Sequence, residues 1–427
     1  MRIGTTVPEY RYVRTGEPPG YRGGVEQDWA GTYTYTAPVV RPRDVAHLQE
    51  VVRGATAVRA LGTRHTFNGL ADSPGVLVDL TALPDRVDVR PDGTVAVTAG
   101  TTFGALAREL HRQGRALHNL GSLPHISVGG AVATGTHGSG DRAGALATAV
   151  RAFTVVGPDG ELRTVQGADV AAQAVSLGAL GVVTELVLAT EPTYDVRQDV
   201  YRGLATADVA DAFGAGDSVS AFTRWDGVAD LWVKTRLPAR VPDAVAGAPR
   251  DPESRDRITD EIVGNVTPQG GEPGPWHERL PHFRHDSTPS NGDEVQSEFF
   301  VDRADAAAAI AAVAAVGDRI RDHLVVGELR TVAADDLWLS MAHGRDSLAV
   351  HFTWRRAAGT HEVAIPAVQE ALAPFGARPH WGKAHTVHDL PAVVPRLAQA
   401  RELFDSLDPA GVFSSPRLVA LGVRSSS

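Results

Sequence analysis

Hydrophobic residues along the chain follow two spacings, which predict a mixture of strands and helices. Segments 86–100 and 152–165 alternate apolar and polar residues on both sides of a Pro-Asp-Gly turn, a pattern typical of β-hairpins. Helical spacing marks 43–55 and 101–114, and the second of these begins after threonines and ends at a glycine. Because strands and helices mix without a regular β-α-β alternation, we expect an α+β fold.

The second half of the chain differs, because long loops rich in proline and glycine separate its elements. A domain boundary is predicted at 191–194, where EPTY follows a strand. Beyond it the pattern predicts an alanine-rich helix over 302–324, strands over 327–333 and 347–354, and a helix over 362–376. The chain has 427 residues, which is too many for one typical core, so two or more domains are expected.

Charge and composition exclude several classes of function. The net charge is −10 and no dense basic run occurs, which argues against nucleic acid or an anionic membrane surface as the main partner. Cysteine is absent, so disulfides, thiolate nucleophiles and cysteine-based metal sites are excluded. The longest apolar run, 306–316, is too short to span a bilayer, and the N-terminus lacks the apolar core of a signal peptide. We therefore expect a soluble, cytoplasmic protein without a membrane partner.

Familiar nucleotide and metal motifs do not occur in the sequence. No G-x-G-x-x-G follows a predicted strand, and neither a P-loop nor an H-E-x-x-H sequence is present. His277, His282 and His285 lie close together, but their spacing does not place them on one helix face. They are either solvated loop histidines or the zinc ligands of a His-based metallohydrolase. We favour the first interpretation and expect no metal.

Two glycine-containing segments differ from ordinary connections. The loop LGTRHTFNGL, at 61–70, holds His65 between polar neighbours, although a turn does not require a histidine. The segment GSLPHISVGGAVATGTHGSG, at 121–140, is dense in small residues, which let a backbone approach a ligand closely and can cradle phosphate oxygens. A ligand-binding loop and a tightly packed turn–helix–turn are both compatible with this composition.

Polar residues recur at every second position of two predicted strands in the second half. Glu328 and Arg330 share one face of their strand, and His351 and Thr353 share one face of theirs. The segment RPHWGK, at 378–383, adds a histidine and a lysine. Together these residues form either a solvated sheet face or a polar patch that faces a bound polyhydroxylated substrate.

These motifs together resemble the vanillyl-alcohol-oxidase type of FAD enzymes and, within that group, the bacterial alditol (xylitol) oxidases. The resemblance rests first on a G-x-x-H-[ST]-x-[NS] loop around His65, followed by SLPHISVGGAVATGTHGSG and SLGALGVVT. It extends from about Trp29 to about Phe413. Further matching segments are GPWHERLPHFR at 274–284, ELRTVAAD at 328–335, HFTW at 351–354 and ARPHWGK at 377–383.

The resemblance implies a particular domain organisation. A two-subdomain FAD-binding domain is expected over 27–195, and an α+β substrate domain with an antiparallel sheet over 196–375. The C-terminal segment, 376–427, is expected to return to the flavin. Residues 1–26 form an extension that has no counterpart in the shorter family members, and we assign them no role.

For the cofactor, the resemblance implies FAD, joined through its 8α-methyl carbon to a ring nitrogen of His65. A neutral imidazole is a good nucleophile, and a loop of small residues lets it reach the flavin ring. The residues expected to contact the cofactor are Ala60, Leu61, Gly62, Thr63, Arg64, His65, Thr66, Gly121, Ser122, Ser127, Gly130, Thr134, Gly135, Thr136, His137, Val183 and His380.

For the substrate, the resemblance implies a polyol whose primary hydroxyl is oxidised to the aldose. The binding residues are expected to be Ser122, Glu328, Arg330, Thr353 and Lys383. Catalysis is expected to involve Glu328, Arg330, His351 and Lys383, and the positive charges of Arg330 and Lys383 would stabilise the developing alkoxide. A sugar-1,4-lactone oxidase or dehydrogenase of the same fold is the alternative.

The acceptor of the electrons is expected to be O2, with hydrogen peroxide as the product. In this fold a residue slightly larger than Gly121 is thought to crowd the approach of O2 to the reduced flavin, and glycine leaves a path about one methyl group wide. The sequence assigns no oligomeric state, and a monomer is compatible with it.

Three positions depart from the family pattern. Arg64 and Thr66 stand where a glycine and a serine are common beside the linking histidine. We expect these two changes to be tolerated because His65 is present. Ser415 stands where an asparagine is usual, which puts one C-terminal flavin contact in question.

Overall fold

A computed structural model describes residues 26–426, except 254–256, 260–261, 288–292 and 388. The predicted N-terminal extension, 1–26, lies outside the described residues apart from Glu26. The expected α+β class is confirmed, because the described chain combines helices with largely antiparallel sheets. Among the described residues, none of the helices combines the length and apolar character that crossing a membrane requires.

Small sheets form the first part of the chain. Their strands are β1 Val39–Val40, β2 Val58–Leu61, β3 Val76–Asp79, β4 Val87–Val89, β5 Thr94–Thr98, β6 Arg115–Ala116, β7 Val150–Val156, β8 Leu162–Gln166, β9 Val182–Ala189 and β10 Glu191–Pro192. β1, β3 and β2 form a parallel sheet in that order, and β4, β5, β9, β7 and β8 form an antiparallel sheet. β6 pairs with β10. The loop that contains His65 follows β2.

The second part of the chain contributes one large sheet. Its strands, with those of a separate hairpin, are β11 Asp195–Ala205, β12 Ser218–Thr223, β13 Val228–Arg236, β14 Ala244–Val245, β15 Ala248–Asp251, β16 Arg257–Thr259, β17 Ile262–Val263, β18 Gly274–Pro275, β19 Glu294–Asp302, β20 Leu324–Val332, β21 Ser347–Arg355 and β22 Arg378–Pro379. The antiparallel order is β14-β15-β11-β13-β12-β20-β21-β19-β22, and β18 also pairs with β11. β16 and β17 form the hairpin.

Helices cover the sheets and begin at recognisable caps. They are α1 Val45–Gly54, α2 Phe103–Arg112, α3 Val128–Ala133, α4 Asp169–Gln173, α5 Val209–Ala212, α6 Ala306–Ala315, α7 Gly317–Ile320, α8 Ile365–Leu372, α9 Leu390–Val393, α10 Leu397–Leu407 and α11 Pro416–Ala420. The Asp44 side chain caps α1 by accepting from the His47 amide at 2.7 Å, and Thr102 caps α2 in the same way at 3.2 Å.

The two faces of the large sheet differ in character. Val295, Phe299 and Phe352 lie on one face and belong to the apolar core that also contains α6 and α8. The alternate residues of the same strands, among them Glu328 and His351, are buried on the opposite face. This polar face lies against the first part of the chain, so the cavity between the two parts is lined by both.

The end of the chain packs against the first part. Leu397 and Phe404 of α10 and Leu418 of α11 pack in the same core as Val97 of β5 and Leu106 of α2. The return of 376–427 to a flavin and the domain boundaries stay predictions. Ser415 is buried, and its hydroxyl caps α11 by accepting from the Leu418 amide at 3.3 Å.

The structure contains long strands that the hydrophobic pattern did not predict. The two predicted hairpins correspond to β4–β5 and β7–β8, and the helices at 43–55 and 101–114 are also present. The alanine-rich helix is shorter than expected, because α6 ends at Ala315, just before Gly317. The long strands that were missed are β11, β12, β13 and β19.

Candidate active site

The loop after β2 places His65 on the wall of the cavity. Its ring stacks on Trp29 with centroids 5.5 Å apart and planes at 25°, and its Nδ1 lies 3.2 Å from the Thr63 hydroxyl. Burial, together with the nearby His125 and Lys383, lowers the pKa of His65 to about 3. The imidazole is therefore neutral at physiological pH, which is the nucleophilic form.

The backbone conformation of Arg64 explains why a glycine is common at this position in the family. Its φ angle is +64°, in the left-handed region that favours glycine. Ion pairs hold the arginine in this conformation, since its guanidinium contacts Glu26 and lies 3.0 Å from Asp79. Both partners are largely buried, and Trp29 donates its amide to the Arg64 carbonyl at 2.8 Å. The departure from the family pattern is therefore accommodated by local contacts.

The segment 121–140, which is dense in small residues, lies beside the His65 loop and forms the next part of the cavity wall. A Cβ on Gly62 would lie 3.1 Å from the Ser127 hydroxyl, and one on Gly130 would lie 2.9 Å from it. The two backbones therefore lie close together on the cavity wall, as glycine allows. Gly121 and Gly135 lie just behind this wall rather than on it.

Strand register brings the polar residues of the large sheet together. Glu328 of β20 pairs with His351 of β21, and His351 pairs on its other side with Glu298 of β19. Thr353 lies two residues further along β21, and the His351 Nε2 atom lies 3.3 Å from its hydroxyl. Because these residues point to one face, the polar patch predicted from alternation faces the cavity and is not a solvated surface.

Arg330 lies at the centre of this patch and is held from three directions. Its Nη2 atom donates to Glu298 at 2.5 Å, its Nη1 atom donates to the Ser122 hydroxyl at 3.3 Å, and its Nε atom lies 3.5 Å from Glu328. Burial alone would lower the pKa of Arg330, but the two carboxylates outweigh burial and raise it. The guanidinium is thus permanently charged and fixed in orientation.

Lys383 provides the second positive charge at the cavity. Its Nζ atom donates to the Gln296 side chain and lies 5.3 Å from the centre of the Phe67 ring. Burial lowers the pKa of Lys383 to about 8, despite the opposing effect of Glu298. The ammonium therefore loses its proton at a much lower pH than an exposed lysine does.

Sequence reasoning did not assign Glu298 or His282 to the cavity. Glu298 lies on β19, a strand that was not predicted, although Val295 and Phe299 alternate there with Gln296 and Glu298. His282 was interpreted as a solvated loop histidine, which is wrong, because it is only 5% exposed. Its Nε2 atom lies 2.9 Å from Glu328. The spacing of the loop histidines gave no indication of this contact.

The three loop histidines do not form a shared metal site. The ring of His277 contacts His111 with centroids 4.9 Å apart, and the ring of His285 stacks on His125 at 5.6 Å. His282 instead contacts Glu328. The metallohydrolase alternative therefore lacks its set of converging ligands.

A different group within the described residues has ligand atoms within 4.8 Å of one another. It consists of His137, Glu298 and His380, all buried on the cavity wall. Arg330 already donates to the carboxylate of Glu298 at 2.5 Å, so the negative charge of this group has a guanidinium partner. We therefore interpret the group as a hydrogen-bonding cluster.

The cavity brings together most of the residues predicted for the site. Those that line it are Ala60, Leu61, Gly62, Thr63, Arg64, His65, Thr66, Ser122, Ser127, Gly130, Thr134, Thr136, His137, Val183, Glu328, Arg330, His351, Thr353, His380 and Lys383. Their roles toward a cofactor or substrate stay predictions. The predicted residues that do not line it are Gly121 and Gly135.

Comparisons with known proteins agree with this geometry. Residues 36–166 match the FAD binding domain family, and residues 293–420 match the family described as D-arabinono-1,4-lactone oxidase. A cholesterol oxidase from B. sterolicum has the same fold, with a TM-score of 0.77 at 16% identity over 95% of this chain and 99% of that one.

Curated relatives span nearly the whole chain. An alditol oxidase from a Streptomyces species is 45% identical over 91% of this chain and 96% of its own length. An L-gulono-1,4-lactone dehydrogenase from Mycobacterium tuberculosis is 31% identical over 88% of this chain and 93% of its own. The chain therefore belongs to the vanillyl-alcohol-oxidase family of FAD enzymes, in the group that contains the bacterial alditol oxidases.

Proposed function

We propose that this chain oxidises a primary hydroxyl of an alditol to the aldose, with FAD as cofactor and with O2 reduced to hydrogen peroxide. The observation that carries the proposal is the polar face of β20 and β21, which lies across one cavity from the His65 loop. The similarity to the Streptomyces alditol oxidase supports the same activity.

The residues on the first side of the cavity fit a flavin. Gly62 and Gly130 let two loops pack closely around Ser127 on the cavity wall, which fits a site where backbone lies near a large flat ligand. His65 is neutral and has its Nδ1 beside Thr63, so a ring nitrogen is available to bond the 8α-methyl carbon. FAD would be held by these loops and by the Thr134 to His137 segment.

The residues on the other side of the cavity fit an uncharged, polyhydroxylated substrate. Glu328 accepts hydrogen bonds, Arg330 and Lys383 donate them, and the hydroxyls of Ser122 and Thr353 can do either. An unmatched buried polar group costs roughly 1–3 kcal/mol, so such a set favours a ligand with a hydroxyl opposite each group. A simple monohydric alcohol would leave most of these groups without a partner.

The chemistry divides between cofactor and chain. When bound, FAD accepts the hydride from the carbon that carries the reacting hydroxyl. Arg330 and Lys383 place two positive charges where the oxygen becomes negative, which lowers the barrier. The His351 Nε2 atom, beside Thr353, can accept the hydroxyl proton, because a neutral imidazole has one nitrogen free to do so.

Oxidation of a sugar-1,4-lactone is the second candidate function. The family matched by residues 293–420 is described as a lactone oxidase, and the Mycobacterium tuberculosis relative is named as an L-gulono-1,4-lactone dehydrogenase. A lactone presents fewer hydroxyls than an open-chain alditol. The density of donors and acceptors along β20 and β21 therefore supports the alditol.

The test is an oxygen-consumption screen over a panel of alditols, aldono-1,4-lactones and monohydric alcohols. We expect xylitol or sorbitol to give the highest kcat/KM, with one hydrogen peroxide formed for each O2 consumed. Faster turnover of a lactone, or turnover only with an artificial electron acceptor, would replace the proposal with the lactone dehydrogenase alternative.

A further inference from the structure

Glu298 is a fully enclosed charged residue of the cavity, and the proposed reaction does not use it directly. It lies in the middle of β19, is 1% exposed and points to the same face as Glu328 and His351. A carboxylate buried this deeply is retained only where cations or hydrogen-bond donors compensate its charge. Its surroundings therefore indicate what it does.

Each oxygen of Glu298 contacts a residue of the proposed site. Oε1 accepts from the Arg330 Nη2 atom at 2.5 Å and lies 3.3 Å from the His137 Nε2 atom, while Oε2 lies 3.5 Å from the His351 Nδ1 atom. The main chain adds a fourth contact, because the His380 amide donates to the Glu298 carbonyl at 2.9 Å. One carboxylate thus contacts the catalytic arginine and two histidines of the cavity.

The ring of His137 lies between two acceptors. The His137 Nδ1 atom lies 2.8 Å from the Gly138 carbonyl, which can only accept, so Nδ1 carries a hydrogen. The Nε2 atom on the other side of the ring lies 3.3 Å from Oε1 of Glu298. Glu298 and Gly138 therefore fix the orientation of this ring.

The contact with His351 selects one form of that ring. A carboxylate facing Nδ1 favours the hydrogen on that nitrogen. The Nε2 atom, 3.3 Å from the Thr353 hydroxyl, is then free to accept. Although burial alone would raise it, the pKa of Glu298 is held well below the usual range by Arg330, His137 and His351. The carboxylate is therefore charged while it faces these groups.

We propose that Glu298 is a positioning residue for the oxidation, which fixes the fork of Arg330, keeps the hydrogen of His351 on Nδ1 and orients the ring of His137. This inference rests on the proposed function for its effect on turnover, but not for its effect on the two histidines. Lys383 and Glu328 are the other charged groups close to this cluster. In this view, the negative charge of Glu298 matters, and not only its shape or its hydrogen bonds.

Two variants separate charge from hydrogen bonding. Glu298→Gln keeps the volume and can still accept from Arg330, but it removes the charge. Glu298→Asp keeps the charge on a shorter side chain. We expect Glu298→Gln to lower kcat by roughly a hundredfold, a loss comparable to removing a donor aimed at developing charge, with a smaller change in KM. Glu298→Asp should retain more activity than Glu298→Gln.

The control is Glu185→Gln, which removes a strand carboxylate paired with Arg86 at 3.2 Å in the first part of the chain. This variant should keep wild-type turnover. The proposal would be overturned if Glu298→Gln had the wild-type kcat, or if it were more active than Glu298→Asp. In either case Glu298 would serve only as a neutral hydrogen-bond acceptor.

A readout that does not depend on turnover is the ¹⁵N NMR spectrum of histidine-labelled protein. In the wild-type chain the ring of His351 should carry its hydrogen on Nδ1, and the population of this tautomer should fall in Glu298→Gln. Should that variant fail to fold, the wild-type and Glu298→Asp spectra decide alone, and a His351 ring with its hydrogen on Nε2 in both would refute the inference. If the wild-type chain oxidises no alditol but shows the Nδ1 tautomer, the proposed function fails while the effect of Glu298 on His351 stands.

Discussion

The Nε2 atom of His282 lies 2.9 Å from Oε1 of Glu328, so a residue from a distant loop orients the carboxylate that faces the cavity. The loop that carries His282 is held in place by Lys234, whose buried side chain donates to the carbonyls of Leu280 and Pro281. The Oε1 atom of Glu328 thus has protein neighbours, which leaves Oε2 as the oxygen for a substrate hydroxyl.

This relationship predicts the effect of removing His282. His282→Phe keeps a ring that can stack on Trp232, as the imidazole does at 5.5 Å, but it lacks the Nε2 atom that lies beside Glu328 and 3.1 Å from the Ser220 hydroxyl. We expect KM for alditols to rise about tenfold, equivalent to about 1.4 kcal/mol, because Glu328 loses the neighbour that orients it, with a smaller change in kcat. Steady-state oxygen consumption measures both constants. His277→Phe, in the same loop but against His111, is the matched control and should leave them unchanged.

The covalent bond to the flavin is predicted to depend on His65. The purified protein should be yellow, and flavin fluorescence should migrate with the chain on a denaturing gel. His65→Ala should release the flavin into solution, whereas His380→Ala, another histidine of the cavity wall, should retain it. Flavin that separates freely from the wild-type chain on the gel would rule out covalent attachment without affecting the assignment of FAD.

The lowered pKa of Lys383 predicts how the rate of flavin reduction changes at alkaline pH. Its pKa is lowered to about 8 by burial, so the ammonium is present below that pH and is lost above it. The rate of anaerobic flavin reduction by substrate should therefore fall as pH rises through about 8. Lys383→Arg should extend activity to higher pH, because a guanidinium keeps its proton there. Lys383→Met should lower the rate by roughly a hundredfold to a thousandfold below about pH 8, and its deficit should narrow at higher pH, where the wild-type lysine is also uncharged.

If the Lys383→Met enzyme reduced its flavin at the wild-type rate, the lysine would have no part in stabilising the alkoxide. If Lys383→Arg showed the same alkaline limit as the wild type, a different group would cause the decline. Stopped-flow absorbance over about pH 6 to 10 distinguishes these outcomes.

The stability of the protein should decrease in mildly acidic solution. Burial, with Arg108 and neighbouring histidines, lowers the pKa of His277 and of His285 to about 4. Because the ordinary value is about 6.5, the unfolded chain binds protons first as the pH falls. The stabilisation is complete above about 6.5 and is lost progressively down to about 4.

Thermal unfolding at several pH values measures this effect. The wild-type Tm should fall between about pH 6.5 and 4.5, and the double variant His277→Gln with His285→Gln should lose less over the same range. The loss of Tm in the wild type should exceed that in the double variant by at least about 2 °C. In a protein of this size, a shift of about 2 °C corresponds to about 1 kcal/mol or less. Equal slopes for the two proteins would assign the acid sensitivity to other buried histidines, such as His282.

The sequence predicted the two strands of the polar face more fully than their surroundings. Alternation along β20 and β21 correctly placed Glu328 with Arg330 and His351 with Thr353, because side chains two apart share a face. Whether that face met solvent or a cavity could not be derived from alternation. It depends on which part of the chain packs against the sheet, and that is a long-range contact.

Glu298 and His282 show where the local pattern carries too little information. β19 pairs with β21 over nine residues, but its two glutamates and a glutamine weaken the apolar alternation that marks a strand. His282 lies in an irregular loop, where no periodicity indicates which way a side chain points. Both residues are placed by contacts with strands far away in sequence, so only the folded structure brings them to the cavity.

The last prediction concerns Gly121 and oxygen. A Cβ at this position would lie 3.4 Å from the Thr136 methyl and 3.5 Å from the His137 carbonyl, both of which belong to residues on the cavity wall. Gly121→Ala therefore fits without displacing its neighbours, and its Tm should stay close to that of the wild type. The new methyl group would fill a gap directly behind the flavin-facing wall, where O2 is expected to pass.

We therefore expect Gly121→Ala to slow reoxidation of the reduced flavin by O2 by about tenfold, equivalent to about 1.4 kcal/mol in the barrier. Reduction by substrate should change less, because that step depends on Arg330 and Lys383 across the cavity. Stopped-flow measures the two half-reactions separately, and an unchanged Tm excludes a general loss of structure. An unchanged oxygen rate in Gly121→Ala would remove this glycine from the oxygen path. A wild-type reduced flavin that persisted in air would instead favour the lactone dehydrogenase alternative.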